Sequence, residues 1–121
     1  MRNKKTLVIG ASINPSRYSN IAINRLVANN IDVRAIGKSE GQVSSIKILK
    51  NKVLFKNIDT ITIYLNKKNQ EEFYDYILKT NPKRVIFNPG TENIELENLL
   101  HKNNIQFESS CTLVLLSIGA Y

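Results

Sequence analysis

The chain has 121 residues, of which 42% are hydrophobic and 22% charged, a balance typical of one globular domain. No apolar run approaches the roughly 20 residues that a membrane helix needs. A single cysteine and a single histidine argue against a disulfide framework and against a metal site, so we expect no metal, no signal peptide and a cytoplasmic location. The net charge of +7 indicates an anionic partner or, alternatively, a compositional bias toward lysine.

The hydrophobic pattern predicts strands that alternate with helices. Short apolar or β-branched runs predict five strands, at 6–9, 32–36, 60–65, 84–87 and 105–108. Apolar residues at helical spacing predict three helices, at 20–30, 70–79 and 94–100. Ser19 or Asn20 could cap the first helix and Thr91 the third. The pattern ends in a closing helix or extended segment at 112–118.

Residues 38–59 have the least clear pattern. Apolar residues alternate with polar ones around Lys50-Asn51-Lys52, which predicts a short hairpin with that tripeptide at its tip or else an irregular segment. The many lysines between 47 and 56 are interpreted as a solvated loop.

Alternation of strands and helices favours one Rossmann-like α/β domain over residues 1–121, with a parallel five-stranded sheet and helices on both faces. Right-handed crossovers bring the carboxyl ends of parallel strands to one edge, and ligands bind at that edge in open sheets of this kind. The candidate functional residues are therefore those that follow the strands.

The loop after the first strand is the most informative stretch. It reads Gly10-Ala11-Ser12-Ile13-Asn14-Pro15-Ser16-Arg17-Tyr18. Gly10 permits a sharp turn. Backbone amides and the side chains of Ser12 and Asn14 can donate hydrogen bonds to a phosphate. The guanidinium of Arg17 can add a bidentate, charged contact. Neither the three-glycine dinucleotide fingerprint nor a P-loop is present. The loop predicts phosphate binding, and a plain turn with a solvated arginine is the alternative.

The end of the second strand discriminates between ligands. It reads Ile36-Gly37-Lys38-Ser39. NAD-binding sites carry an Asp or Glu here for the ribose hydroxyls. A lysine instead of a carboxylate favours a ribose with an extra phosphate, as in coenzyme A or NADP. The alternative is that Lys38 is one more surface lysine.

These motifs resemble a known family. Gly10-Ala11-Ser12 followed by Asn14-Pro15-Ser16-Arg17-Tyr18 is similar to the small single-domain coenzyme A-binding proteins, relatives of the coenzyme A-binding domain of succinyl-CoA synthetase. The resemblance extends over nearly the whole chain, through Lys38, the strand at 59–65 and the turn at 88–93. The family often has a cysteine at the position of Cys111. At the position of Lys38-Ser39 the family commonly has Asn-Pro instead.

The resemblance implies that the ligand is coenzyme A or an acyl-CoA. The implied binding residues are Gly10, Ala11, Ser12, Asn14, Arg17, Tyr18, Gly37, Lys38, Asn66, Asn88, Pro89 and Gly90. The first loop would hold the diphosphate and Lys38 the ribose phosphate. Asn66 and the turn at 88–90 would flank the adenine or the pantetheine arm.

Candidate catalytic groups are few. His101 falls late in a helix and is interpreted as a surface histidine. Cys111 is interpreted as a small buried side chain, or alternatively as a thiol able to form a mixed disulfide with pantetheine. We therefore expect no catalytic residues and no enzyme activity.

The predicted role is a non-catalytic carrier, sensor or partner module, with a homodimer or an enzyme partner left open. The alternative is a small NADP-type or thiol-redox enzyme that uses Cys111. The tyrosines are scattered and do not interleave with basic residues on one face, so we expect no nucleic-acid partner despite the positive charge. We expect no membrane partner either.

Overall fold

The computed structural model describes residues 4–121 and has a seven-stranded sheet at its centre. The strands are β1 (Thr6–Ala11), β2 (Val33–Gly37), β3 (Gly41–Val43), β4 (Ile46–Leu49), β5 (Thr60–Ile63), β6 (Arg84–Phe87) and β7 (Gln106–Ser109). Their spatial order is β3-β4-β2-β1-β5-β6-β7. All neighbours are parallel except β3 and β4. The predicted α/β class is confirmed, but the predicted five parallel strands are wrong in number and in one pairing.

Five α-helices surround the sheet. They are α1 (Tyr18–Ala28), α2 (Lys67–Gln70), α3 (Tyr74–Thr80), α4 (Ile94–Lys102) and α5 (Thr112–Ser117), with a 3-10 helix at Glu71–Phe73 between α2 and α3. The single helix predicted at 70–79 is therefore three short segments. The closing segment is a helix, which was one of its two predicted forms. No helix within residues 4–121 is long and apolar enough to cross a membrane.

The hairpin at 41–49 explains the extra strands. β3 and β4 pair antiparallel across a turn in which Ser44 has φ of 55°, so the tip lies there and not at Lys50-Asn51-Lys52. β4 then pairs parallel with β2. Residues 50–59 continue without helix or strand. A hairpin was one predicted option for this region, but its position was wrong.

Two predicted helix caps are also wrong. The first helix begins after Arg17, whose side chain makes no capping bond, and Ser19 and Asn20 are buried inside the helix. The amide oxygen of Asn93, not Thr91, caps α4 by accepting a hydrogen bond from the backbone N–H three residues on, at 3.2 Å. Thr91 is buried in the preceding turn.

Each face of the sheet carries its own apolar core, and β1 contributes to both. Leu7 and Ile9 pack with the core under α3 and α4, while Val8 packs with the core under α1. Strict alternation would turn Ala11 toward the first core. A bulge at Gly10 shifts the register with β2, and Ala11 joins the core of Val8 instead.

Candidate functional site

The carboxyl ends of the parallel strands enclose a cavity of about 380 Å³, toward the small end of the roughly 300–1,000 Å³ range of ligand pockets. Its lining residues are Gly10, Gly37, Lys38, Lys50, Lys52, Leu65, Asn69, Glu72 and Phe73. They come from the carboxyl ends of β1 and β2, from the segments after β2, β4 and β5, and from the helical segment that follows β5. Three of the predicted binding residues, Gly10, Gly37 and Lys38, therefore lie together.

Backbone forms one wall of this cavity at two glycines. Gly10 has φ of 93°, and a Cβ built on it would lie 2.9 Å from the carbonyl carbon and oxygen of Tyr64. A Cβ on Gly37 would lie 2.3 Å from the carbonyl oxygen of Ala11. Only glycine fits at either position, because the neighbouring groups are backbone atoms held in the sheet. Both glycines line the cavity without a side chain of their own.

The loop at 12–17 organises itself through its own side chains. The Asn14 Oδ1 accepts hydrogen bonds from the Ser16 N–H at 3.0 Å and the Ser16 hydroxyl at 2.8 Å. The Ser12 Oγ accepts from the Asn14 N–H at 3.1 Å, and the buried Asn20 amide donates to the Ser12 carbonyl at 3.0 Å. The side-chain oxygens of Ser12 and Asn14 thus shape the loop. The Ser12 O–H and the Asn14 side-chain NH2 group are the donors suited to a ligand.

Three further predicted residues lie on or beside this loop. Ala11 is buried, whereas Arg17 and Tyr18 are exposed at the start of α1, Tyr18 by 71%. None of these three lines the cavity.

Two lysines in the cavity wall were not predicted. Lys50 is the first residue after β4, and Lys52 follows on the same irregular segment. The sequence instead predicts a solvated, lysine-rich loop at the tip of a hairpin for both residues. Since β4 is parallel to β2, Lys50 satisfies the same strand-end criterion that selected Lys38.

The turn after β6 is built around one buried side chain. The Asn88 Nδ2 donates to the Thr62 hydroxyl at 2.7 Å and to the Ile63 carbonyl at 2.9 Å. Its Oδ1 accepts from the Thr112 N–H at 2.9 Å. Asn88 is 2% exposed, and its side-chain amide fixes the turn through these internal hydrogen bonds. The exposed residues that this turn presents are Pro89 and Gly90.

Asn66 has a local role and belongs to the loop after β5. Its side chain caps α2 by accepting from the Asn69 N–H at 3.0 Å. The buried Gln70 ties this loop to the next one, because its Nε2 donates to the carbonyls of Leu65 at 2.8 Å and Thr91 at 2.7 Å. Sequence reasoning missed Gln70, since a glutamine in a polar run carries no signal of burial. The residue holds the strand-end loops in fixed positions.

The residues considered for catalysis are not assembled into a unit. Cys111 is a half-buried free thiol at the start of α5, and His101 is exposed in the last turn of α4. Since the α4 N-terminus follows the strand-end turn, His101 lies at the far end of that helix from the cavity. Within the described part of the chain, no three His, Cys, Asp or Glu side chains could hold a metal ion.

A buried phenol lies near Cys111 and makes stability depend on pH. The Tyr64 hydroxyl is buried beside the hydroxyls of Thr62 and Thr112, which bond to each other at 2.8 Å. Burial, partly offset by these two hydroxyls, raises the pKa of Tyr64 to about 12. An unfolded tyrosine ionises near pH 10, so the stabilisation is complete below about pH 10 and is lost as pH rises toward 12.

We expect the urea midpoint to fall between about pH 9 and 12, and Tyr64→Phe to flatten that fall. Some slope should remain, because burial also raises the pKa of Tyr76 to about 12. Tyr18→Phe, at an exposed position, serves as the matched control. Equal slopes for Tyr64→Phe and Tyr18→Phe would contradict the assignment.

A second cavity of about 650 Å³ lies at the opposite edge, near the amino ends of β5 and β6. It is lined by Lys5, Asn57, Ile58, Asp59, Thr80, Asn81 and Lys83. It is the larger of the two, but it contains no predicted binding residue. Ligands of open α/β sheets bind at the carboxyl edge, so we assign the functional site to the smaller cavity.

The open, mostly parallel sheet with a ligand-sized cavity at its carboxyl edge defines a Rossmann-like α/β domain. The family model described as the CoA binding domain matches residues 4–117. The chain belongs to this family.

Solved structures with the same fold include three instructive cases. One, titled only as an uncharacterized protein, is 42% identical, covers 100% of both chains and has a TM-score of 0.97. A conserved hypothetical protein from Pyrococcus furiosus is 24% identical over 92% of this chain and 97% of that chain, with a TM-score of 0.81.

The third is the dinucleotide-forming acetyl-coenzyme A synthetase 1 of Ca. Korarchaeum cryptofilum, in complex with phosphate and ADP. It is 18% identical, with a TM-score of 0.71 over 88% of this chain and 25% of that chain. The last two likenesses are evidence of fold alone. Comparison with curated protein sequences gives no match.

Proposed function

We propose that the protein binds coenzyme A or an acyl-CoA at the carboxyl edge of its sheet. The observation that carries this proposal is that three lysines line one cavity at this edge: Lys38, Lys50 and Lys52. Gly10 and Gly37 line the same cavity with main-chain atoms. Close backbone approach suits a nucleotide, and clustered ammonium groups suit phosphate. Membership of the CoA binding domain family supports coenzyme A over other phosphorylated nucleotides.

The ligand would extend beyond the cavity in both directions. By analogy with dinucleotide sites, the residue after β2 meets the ribose, which puts the ribose phosphate at Lys38. The diphosphate would then lie along the loop at 12–17, within reach of the exposed Arg17. The pantetheine arm would pass the turn at Pro89 and Gly90 and approach the Cys111 thiol.

Thermal unfolding tests the proposal directly. A ligand that binds only the folded state stabilises it by about 2.7 kcal/mol at 100 times its Kd, which raises the melting temperature by several degrees. We expect this rise with CoA and a smaller one with NADPH. Lys38→Ala should reduce the CoA shift, whereas Lys83→Ala, at the opposite edge, should not.

The proposal fails if CoA leaves the melting temperature unchanged. A larger shift with NADPH than with CoA would favour the NADP-type alternative.

We further propose that the domain has no turnover of its own. Acyl transfer needs a nucleophile next to a base, and that base is itself oriented by a third group. Cys111 is the nucleophile nearest the expected thioester, and the chain's one histidine, His101, lies at the far end of α4. The protein would then act as a carrier, a sensor or the partner of an enzyme.

Acetyl-CoA should therefore stay intact when incubated with the pure protein for hours. Thioester absorbance followed against a buffer blank measures this. Hydrolysis clearly above the blank, abolished by Cys111→Ser and retained by Ser110→Ala, would make Cys111 catalytic and overturn the prediction.

A further inference from the structure

One side of the cavity has an aromatic ring whose face is occupied by a lysine of the same chain. The Lys52 Nζ lies 4.8 Å from the centroid of the Phe73 ring and 3.9 Å from the Glu72 Oε1. All three residues line the cavity. An ammonium over a ring face is an attractive contact, and the long, exposed ion pair with Glu72 adds little to it. In the free protein, Lys52 therefore covers a surface on which a flat ligand ring could stack.

The ring is fixed and the lysine is free to move. Phe73 is 8% exposed and packs edge-on against Tyr76 with ring centroids 6.2 Å apart. The Tyr76 hydroxyl donates to the Val53 carbonyl, which anchors the backbone next to Lys52. The Lys52 side chain is 39% exposed and has a flexible four-carbon stem. Its ammonium can thus leave the ring without any change in the backbone.

Two other lysines line the same cavity as Lys52. Lys38 follows β2 and Lys50 follows the neighbouring strand β4, and neither has an ion pair among the described residues. A phosphate drawn to these two lysines would also offer a strong partner to Lys52. A ligand without that phosphate would displace the Lys52 ammonium from the ring without providing a new anionic partner for it.

Building on the proposed function, we propose that Lys52 is a specificity-determining residue. It disfavours nucleotides that bring only a base to Phe73, and it favours those that carry a phosphate on the ribose beside that base. The base and the Lys52 ammonium compete for the same ring face, and the ribose phosphate compensates the loss of that contact. Specificity arises here partly because nucleotides without the ribose phosphate bind with lower affinity.

Calorimetric titration of two ligands into two proteins tests this. CoA and dephospho-CoA differ only in the ribose phosphate, and Lys52→Met keeps most of the stem but removes the charge. We expect CoA to bind Lys52→Met about 10-fold more weakly, which equals about 1.4 kcal/mol. Dephospho-CoA should bind the variant no more weakly than the wild-type protein and up to about fivefold more tightly, because the methionine that replaces Lys52 beside the ring has no cation–π contact and no ion pair with Glu72 to lose.

The control is Lys83→Met, the same change at an exposed lysine on the opposite edge, which should leave both affinities within about twofold. A spectroscopic signature accompanies the titration. The Lys52 ε-methylene protons should be shifted upfield by the Phe73 ring in the free protein, and CoA should remove that shift.

Three results would count against the inference. If Lys52→Met weakens both ligands, Lys52 is a general electrostatic contact and the competition does not exist. If Lys52→Met changes neither affinity, Lys52 has no role in selection. If the wild-type protein binds neither ligand, the proposed function fails and the inference fails with it, an outcome that the wild-type titrations alone distinguish from the first two.

Discussion

Replacing Gly37 by alanine should lower the free energy of unfolding by about 3 kcal/mol and abolish CoA binding, since overpacking at a rigid site typically costs 1–3 kcal/mol or more. The new Cβ would lie 2.3 Å from the Ala11 carbonyl oxygen and 2.9 Å from the Ile48 Cγ2. Ala11 and Gly37 are partners in the β1–β2 ladder, so the clash can be relieved only by moving the strands apart. Those strands form the floor of the cavity.

Urea denaturation and CoA titration measure the two effects. Gly90→Ala is the matched control for the urea measurement alone: Gly90 has φ of 89° but no atom within 4 Å of a built Cβ, so only the conformational cost of about 1–2 kcal/mol applies. A loss for Gly37→Ala no greater than for Gly90→Ala would mean that β1 and β2 adjust to the methyl group at little cost.

Removing the Asn88 side chain should lower the free energy of unfolding by about 3–4 kcal/mol, because three internal hydrogen bonds at about 1 kcal/mol each disappear and buried partners are left unsatisfied. Those partners belong to β5 and to α5, and the residue itself follows β6. Asn88→Ala should therefore loosen the strand-end turn as well as the fold.

The control is Asn98→Ala, at an exposed position on α4, which should change stability by less than about 0.5 kcal/mol. Urea denaturation compares the two variants. If Asn88→Ala costs less than about 1 kcal/mol, water replaces the amide and the turn does not depend on it.

The sequence predicted the central strands well because they are buried on both faces. The runs at 7–9, 61–63 and 85–87 are almost entirely inaccessible, and continuous apolar runs of this kind are typical of inner parallel strands. β3 and β4 were harder because they have only three and four residues and mixed exposure. Their turn gave only a weak signal: serine is common in turns, but it rarely adopts the positive φ that Ser44 has.

The sequence predicted the site residues that lie at the ends of recognisable strands. It did not predict the residues that reach the site only through the pairing of β4 with β2. Gly10, Gly37 and Lys38 follow strands that the pattern identified, and they line one cavity. Lys50 and Lys52 could be included only once β4 was known to run beside β2 and parallel to it. That pairing is a tertiary fact, and local hydrophobicity carries no information about it.

The position of β1 in the middle of the sheet has a consequence for how the chain folds. Its two neighbours, β2 and β5, begin at Val33 and Thr60, so one edge of β1 is unpaired until about half of the chain has been synthesised. Pairing between segments so far apart in sequence requires loop closure before it yields stabilising contacts, which slows folding relative to helical bundles of similar size. During synthesis, the apolar residues of β1 are therefore exposed to wrong partners until β5 has been made.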